Sequence, residues 1–162
     1  SPIGDALVLA GGDNYRLART RDGLILMIRA IREAFDALRA LGMPILPRKM
    51  AIMVRLPEPV LVLILTRLMS TRFAEIALAR HARSASSEMR GLADEVRALV
   101  TQSGVTSPHL DRLYGYLDPA AESMPEGSHA LRLNWAGVWW SLAAGFFVIS
   151  ALFRKTPKRH LA

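Results

Sequence analysis

The sequence lacks cysteine, glycine-rich nucleotide loops and clustered histidines, and each absence excludes a class of chemistry. Without cysteine, the 162 residues carry no disulfide, thiolate nucleophile or cysteine-ligated zinc site. Neither Gly-x-Gly-x-x-Gly nor the P-loop pattern occurs, so no recognised nucleotide-binding loop is present. The four histidines, at positions 81, 109, 129 and 160, are scattered and form no His-Glu-x-x-His pattern. We therefore expect no metal site.

Acidic residues are outnumbered by basic ones, which gives the chain a formal net charge of +7. A basic chain is compatible with nucleic acid, anionic lipid or an anionic substrate as partner. Here the bias is mostly arginine spread through predicted helices, with no run of five basic residues and no nucleic-acid-binding motif. We expect solvated helix faces and no nucleic-acid partner. A hydrophobic content of 51% argues against disorder.

Hydrophobic periodicity predicts an all-α protein. The first long helix is predicted over Asp22 to Leu41, with Asp22 as its N-cap and Gly42 in the left-handed position after its last turn. Its apolar stripe, which repeats at spacings of three and four, comprises Leu24, Ile28, Ile31, Phe35 and Leu38.

Four prolines between positions 44 and 59 predict a linker or an irregular strap. The apolar run that follows, Pro59 to Met69, is compatible with a buried strand or the start of a buried helix, and periodicity cannot decide between them. Because its surroundings are helical, we predict a helix. The run is too short to span a bilayer.

The strongest helical pattern covers Thr71 to Gln102 and ends before Gly104. Ser107 and Pro108 then predict the cap and first residue of a further helix. The apolar seam of the long helix, which we expect to pack along one partner face, consists of Leu78, Ala82, Ala85, Met89, Leu92, Val96 and Leu99.

Residues 134–153 contain no charged side chain. A helix of about 20 apolar residues matches the thickness of a bilayer core. Tryptophans lie near one end of this segment, and four basic residues follow the other. We predict a transmembrane helix, with a buried or subunit-interface helix as the alternative. The main domain is expected in the cytoplasm, but the basic tail favours the opposite orientation, so orientation stays open.

These patterns divide the chain into a lead-in segment (1–14), a helical domain (15–118), a linker (119–133), the predicted transmembrane helix (134–153) and a basic tail (154–162). Because the first residue is Ser1, we expect the chain to be part of a longer one.

One polar facet is a candidate for chemistry. His81, Ser84, Glu88 and Glu95 lie at intervals of three, four and seven, so they share one face of the long predicted helix. A carboxylic acid beside the apolar seam can be partly desolvated and therefore suited to proton transfer. The alternative is an ordinary solvated face, in which Arg83 and Arg90 offset the charge of Glu88.

Two segments resemble the C-terminal domain of the ketopantoate reductase family. They are EMRGLADEVRALVTQSGVTSP (residues 88–108) and IREAFDALRALGMP (residues 31–44). In that family a glutamate on a long helix is followed by a glycine turn and by a proline that opens the next helix. An earlier helix of the domain ends in a glycine-hydrophobic-proline turn. The resemblance runs from about Tyr15 to Leu117, in the family's order.

The resemblance implies an all-helical domain of the 6-phosphogluconate-dehydrogenase C-terminal-like type. It implies a partner Rossmann domain, in cis or in trans, that binds NADPH, and a 2-oxo acid as substrate. Glu88 would match the glutamate that interacts with the substrate hydroxyl, with His81 and Ser84 as substrate contacts. NADPH would not be bound by this chain alone.

Besides lacking the Rossmann domain, the sequence departs from the family in two ways. No lysine precedes Lys49, whereas the family has a catalytic lysine near the start of its domain. The family's serine and aspartate run is replaced by EIALARHARSASSE (residues 75–88). Two hypotheses follow. The chain is the substrate-side domain of a ketopantoate-reductase-like oxidoreductase, inactive alone and part of a homo-oligomer. Alternatively, it is a non-catalytic, membrane-tethered helical module for dimerisation or interaction.

Overall fold

The computed structural model describes residues 3, 5, 6, 10, 13–45, 48–76, 86–118, 120–140 and 143. Within these residues the secondary structure is helical and contains no strand, so the predicted all-α class is confirmed. Residues 72–76 and 136–140 are helical as well. The helices with defined bounds are α1 (Asn14–Arg19), α2 (Arg21–Ala40), α3 (Arg48–Met53), α4 (Glu58–Met69), α5 (Ser86–Ser103) and α6 (Pro108–Gly115).

Helix α2 is the centre of the fold and contacts α1, α4, α5 and α6. Its first half is buried on every side, since each residue from Asp22 to Ile28 is buried. The predicted stripe therefore includes only some of the residues that this half buries, since it omits Ile25, Leu26 and Met27. In the second half, Ile31, Phe35 and Leu38 are only partly buried. A helix that is apolar all round belongs in a core, and the seven-residue stretch from Asp22 to Ile28 contains five large apolar side chains.

The predicted start of α2 is wrong, whereas its predicted end is confirmed. Asp22 is not the N-cap, because the helix begins at Arg21 and Thr20 occupies the cap position. The predicted C-terminal turn is confirmed: Gly42 has a φ of +69°. The N–H of Met43 donates to the carbonyl of Leu38 at 2.9 Å, and the N–H of Gly42 donates to that of Arg39 at 3.0 Å. These two bonds satisfy carbonyls at the helix end that have no intrahelical partner.

The run that periodicity left open between strand and helix is helix α4, as predicted. The proline-rich stretch before it is not wholly irregular, because α3 lies within it. Prolines 44 and 47 precede α3, and Pro57 follows it, so none of the three interrupts its hydrogen bonds. Helix α4 packs against α1 and α2.

The described part of the predicted apolar seam coincides only in part with the face that α5 buries, since Val96 packs against the core but Leu92 does not. Leu92 is 50% exposed, whereas Ala93 and Val100 are buried. Helix α5 packs against α2 through this adjacent line, where the small side chain of Ala93 permits close approach. Gly104 ends the helix with a φ of +70°, as predicted. Residues 77–85, in the middle of the long predicted helix, lie outside the described residues.

Helix α6 begins at Pro108 with Ser107 in the cap position, as predicted, but the serine side chain does not cap the backbone. The carboxylate of Glu33 on α2 does so instead. It accepts the N–H of His109 at 3.1 Å and the N–H of Leu110 at 2.8 Å. A side chain 76 residues away therefore satisfies N–H groups at the start of α6.

Residues 120–135 lie along α2 and bind it. We call these residues the C-terminal strap, which is distinct from the proline-rich stretch before α4. Met124 is buried in the core, together with Ala6 and Ala10, so the core includes residues on both sides of the predicted 15–118 domain. Of the predicted transmembrane helix, 134–140 and 143 are described, and residues 134 and 135 precede the helical turn. Within the described residues, no helix has the length and apolarity required to cross a bilayer.

Candidate functional site

The polar facet predicted from the sequence lies largely beyond the described residues. His81 and Ser84 fall outside them, as does the side chain of Glu88, whose backbone lies in the first turn of α5. Glu95, the fourth member, is described and is exposed. The proximity of the three candidate site residues therefore stays a prediction.

Glu58 is one of three buried acidic residues among the described residues, with Asp5 and Asp22, and it was not among the site residues predicted from the sequence. Only 1% of its side chain is exposed. Arg29 donates to the two carboxylate oxygens from Nε at 3.0 Å and from Nη2 at 2.9 Å. Arg32 adds an ion pair at 3.7 Å, and the N–H of Asn134 donates at 2.9 Å. A bidentate guanidinium–carboxylate pair is the strongest form of this interaction.

Local sequence explains how these groups meet. Glu58 is the first residue of α4 and lies between Pro57 and Pro59, where a negative side chain is favoured by the helix dipole. Arg29 and Arg32 are three residues apart on α2 and therefore project from the same face. The start of α4, the middle of α2 and the end of the C-terminal strap therefore meet at the ion pair of Glu58.

The two arginines also bind backbone carbonyls of the chain around them. Arg29 donates to the carbonyl of Arg132 at 2.7 Å. Arg32 donates to the carbonyl of Val54 at 3.1 Å and to that of Leu56 at 2.7 Å. Because their donors are directed to protein atoms, these guanidinium groups hold the α3–α4 turn and the strap against α2. Their role in the described structure is positional.

The environment of Glu58 keeps its carboxyl group ionised. Burial raises the pKa, but hydrogen bonds from Arg29 and the Asn134 N–H, together with the charges of Arg29 and Arg32, outweigh it. The net effect is a pKa below the usual value for glutamate. A carboxylate held in this way does not act as a proton donor near neutral pH.

A pocket of about 320 Å³ opens beside this ion pair. Its wall combines α2, the turn after α3 and the end of the strap, and its lining residues are Arg32, Phe35, Asp36, Arg39, Val54, Arg55, Glu58, Asn134 and Gly137. Arg39 is paired with Asp36 at 2.5 Å. The backbone N–H of Arg55 donates to the carbonyl of Ile52, but its guanidinium makes no hydrogen bond or ion pair to any residue that the structure describes. Its guanidinium makes the pocket compatible with a small anion.

Two other carboxylates, Asp22 and Glu33, lie on α2 and bind other segments of the chain. Burial raises the pKa of Asp22, but hydrogen bonds from Ser128, Leu131 and Ala130 lower it by more, so the group is held ionised. The backbone N–H bonds measure 2.7 Å from Ala130 and 3.0 Å from Leu131. Glu33 is paired with His109 Nδ1 at 2.5 Å in addition to its capping bonds. Neither carboxylate lines the pocket.

One feature of the sequence indicates that Asp22 and Glu58 need partners. An acidic residue inside or beside a strongly apolar run must either stay at the surface or find partners, because an unpaired buried charge is costly. Asp22 precedes the run from Leu24 to Ile28, and Glu58 precedes the run from Val60 to Leu65. The identity of the partners has no local signal, since they lie far away in sequence.

Within the described part of the chain, no group of three His, Cys, Asp or Glu side chains could hold a metal ion. No protein-family model, curated protein or solved structure matches the chain. The resemblance to ketopantoate reductases therefore stays a prediction from the sequence.

Proposed function

We propose that this chain is the substrate-side helical domain of a ketopantoate-reductase-like, NADPH-dependent oxidoreductase that acts on a 2-oxo acid. The observation that carries the proposal is the contact between α2 and α5, which contain most of the two resembling segments. Each helix is followed by a glycine of positive φ, Gly42 or Gly104, at the place that the resemblance implies. Helix-and-turn patterns that are weak singly carry more weight when they also form one packed unit.

The proposal assigns different tasks to this chain and to its partner. Reduction of a 2-oxo acid adds a hydride to the carbonyl carbon and a proton to its oxygen. The hydride comes from NADPH, which requires a Rossmann domain supplied in cis or in trans, because this sequence has no dinucleotide-binding loop. Glu88 would contact the substrate oxygen and act as hydrogen-bond partner or acid, with His81 and Ser84 as neighbouring substrate contacts.

The test uses the protein in its native assembly, purified through a tag on this chain. NADPH oxidation is followed with a panel of 2-oxo acids that differ in side chain. We expect turnover that depends on both NADPH and the 2-oxo acid. Glu88→Gln should lower kcat by about a hundredfold, the usual contribution of a general acid or base. Glu122→Gln, at an exposed glutamate outside the polar facet, is the matched control and should leave kcat unchanged.

The two failures of this experiment have different meanings. Turnover that survives Glu88→Gln would remove Glu88 from the mechanism but leave the oxidoreductase class intact. An assembly that never oxidises NADPH with any 2-oxo acid would overturn the class. The alternative hypothesis, a non-catalytic helical interaction module tethered to a membrane, would then replace it.

A further inference from the structure

Helix α4 carries apolar side chains on all of its faces, but the described residues cover only one side of it. Leu61 and Met69 are buried toward α1 and α2. On the other side, Val60, Leu63, Ile64 and Leu68 are 40–59% exposed. Their spacings of three and four place them along a single stripe. Monomeric soluble proteins rarely leave a continuous stripe of this kind in water, so a partner is expected to cover it.

The exposed apolar surface extends beyond α4 at its N-terminal end. Leu56, Ile52 and Met53 precede the helix and are also exposed. A Cβ atom added to Gly137 would lie 3.6 Å from Pro57, so the helical turn at residues 136–140 passes close to the start of α4. This turn and the residue before it contribute exposed rings from Trp135, Trp139 and Trp140, the last two 74% and 79% exposed.

The exposed charges of residues 48–76 are mostly positive. Within residues 48–76, the exposed cationic side chains are Lys49, Arg55, Arg67 and Arg72. The same stretch contains only two acids, Glu58 and Glu75. Glu58 is buried and paired with Arg29, so Glu75 is the only exposed carboxylate. The surface is therefore apolar in the middle and positively charged around it.

We propose that this surface, formed by α4 and the tryptophans of residues 135–140, binds the face of an anionic lipid bilayer. Apolar side chains and tryptophans enter the boundary between headgroups and acyl chains, while arginine and lysine bind anionic headgroups. The 12 residues of α4 are too few to span a bilayer, so the helix lies in the plane of the interface. This inference does not depend on the proposed oxidoreductase function.

Charge argues for lipid over a second copy of the chain. A two-fold dimer places the same patch on both subunits, so the basic residues around one patch would face those around the other. Like charges placed together oppose association, whereas an anionic surface complements them.

The experiment is vesicle flotation of the full chain, with tryptophan emission as a second readout. All three tryptophans lie in residues 135–140, so a blue shift reports that these residues enter an apolar environment, and the α4 variants below test whether α4 takes part. We expect binding to phosphatidylcholine vesicles that contain phosphatidylglycerol, and much weaker binding to pure phosphatidylcholine. The double variant Leu63→Gln with Ile64→Gln should weaken binding by about tenfold or more.

Matched controls separate the surface from general effects of substitution. Leu92→Gln changes an exposed leucine on α5 and should leave vesicle binding unchanged. Arg67→Gln with Arg72→Gln should weaken binding to anionic vesicles at low salt, whereas Arg112→Gln on α6 should not. Far-ultraviolet circular dichroism checks that each variant folds.

Two results would overturn the proposal. One is vesicle binding by the α4 double variant that equals that of the wild type, which would assign any membrane contact to another segment. The other is a chain that ignores anionic vesicles but self-associates in sedimentation velocity through α4, as judged by loss of the dimer in the double variant. That outcome would identify the occupant as a second copy.

Discussion

Helices α2 and α4 contact each other, yet their exposure to water is opposite to what their composition suggests. Helix α4 is almost uninterrupted in its apolar residues, and most of its side chains are exposed or half-exposed. Helix α2 carries seven charged residues among its 20, and its first half is the most deeply buried part of the described chain.

The difference shows that burial in this protein follows polar anchoring as much as hydropathy. Asp22, Arg29 and Glu33 on α2 each bind a different part of the chain: the strap, the start of α4 and the start of α6. The bonds of Asp22 and Glu33 satisfy backbone N–H groups, and the bond of Arg29 neutralises the buried carboxylate of Glu58. Helix α4 is anchored at its two ends, by Glu58 in its first turn and by the carbonyl of Met69, which accepts from the side chain of Asn14 at 2.7 Å, and its outer side is exposed.

The largest effect is expected from truncating a core leucine of α2. Leu26→Ala should lower the free energy of unfolding by about 3 kcal/mol, because Leu26 is fully buried and its loss leaves a cavity. Leu63→Ala on the outer side of α4 should change it by less than about 0.5 kcal/mol. Urea denaturation measures both. Equal losses would show that the outer side of α4 is covered in the isolated chain.

Breaking the anchor between the two helices is expected to cost nearly as much. Glu58→Gln should lower the free energy of unfolding by about 3 kcal/mol, since it leaves Arg29 and Arg32 partly buried without a counter-charge. Glu75→Gln, an exposed carboxylate just beyond the C-terminal end of α4, should cost less than about 0.5 kcal/mol. A small effect at Glu58 would mean that packing alone holds α4 on α2.

Acid should loosen the anchors of α2. The folded-state pKa values of Glu58 and Asp22 are both lowered. Their contribution to stability is therefore fully present above the unfolded-state pKa of about 4 and is lost as pH falls through the folded-state values. Thermal melts between neutral and acidic pH should show the midpoint falling by several degrees. The fall should be smaller in Glu58→Gln, and an identical profile in that variant would exclude Glu58 as a source.

The smallest effect is expected at the long-range cap of α6. Glu33→Gln should lower the free energy of unfolding by about 1 kcal/mol, because the neutral amide still accepts a hydrogen bond but loses the charge. Asp36→Asn, one turn further along α2 in an exposed pair with Arg39, should cost less than about 0.5 kcal/mol. Hydrogen exchange at His109 and Leu110 locates the effect, and unchanged protection there would contradict the capping role.

The sequence predicted local features of the fold well. Gly42 and Gly104 end helices in the left-handed conformation, and Pro108 begins one, because these positions are governed by backbone sterics within a few residues. The all-α class follows from periodicity, which is also a local property.

The sequence predicted less about which surface each residue faces. Of the predicted seam, Val96 packs against the core but Leu92 is exposed, whereas Ala93 and Val100, which the seam omits, are buried. Asp22 was assigned as a cap because its position fits one, but its partners lie more than 100 residues further along the chain. The predicted site at His81, Ser84 and Glu88 stays a prediction.

By itself, the sequence determined where several helices begin and end, because capping, glycine and proline act over one turn of chain. Only the tertiary structure decided that Asp22, Glu33 and Glu58 anchor distant segments and that one side of α4 is left exposed. Hydrogen bonds and burial depend on which segments meet in space. The sequence lists the residues that form such a contact, but it does not show which of them lie close together.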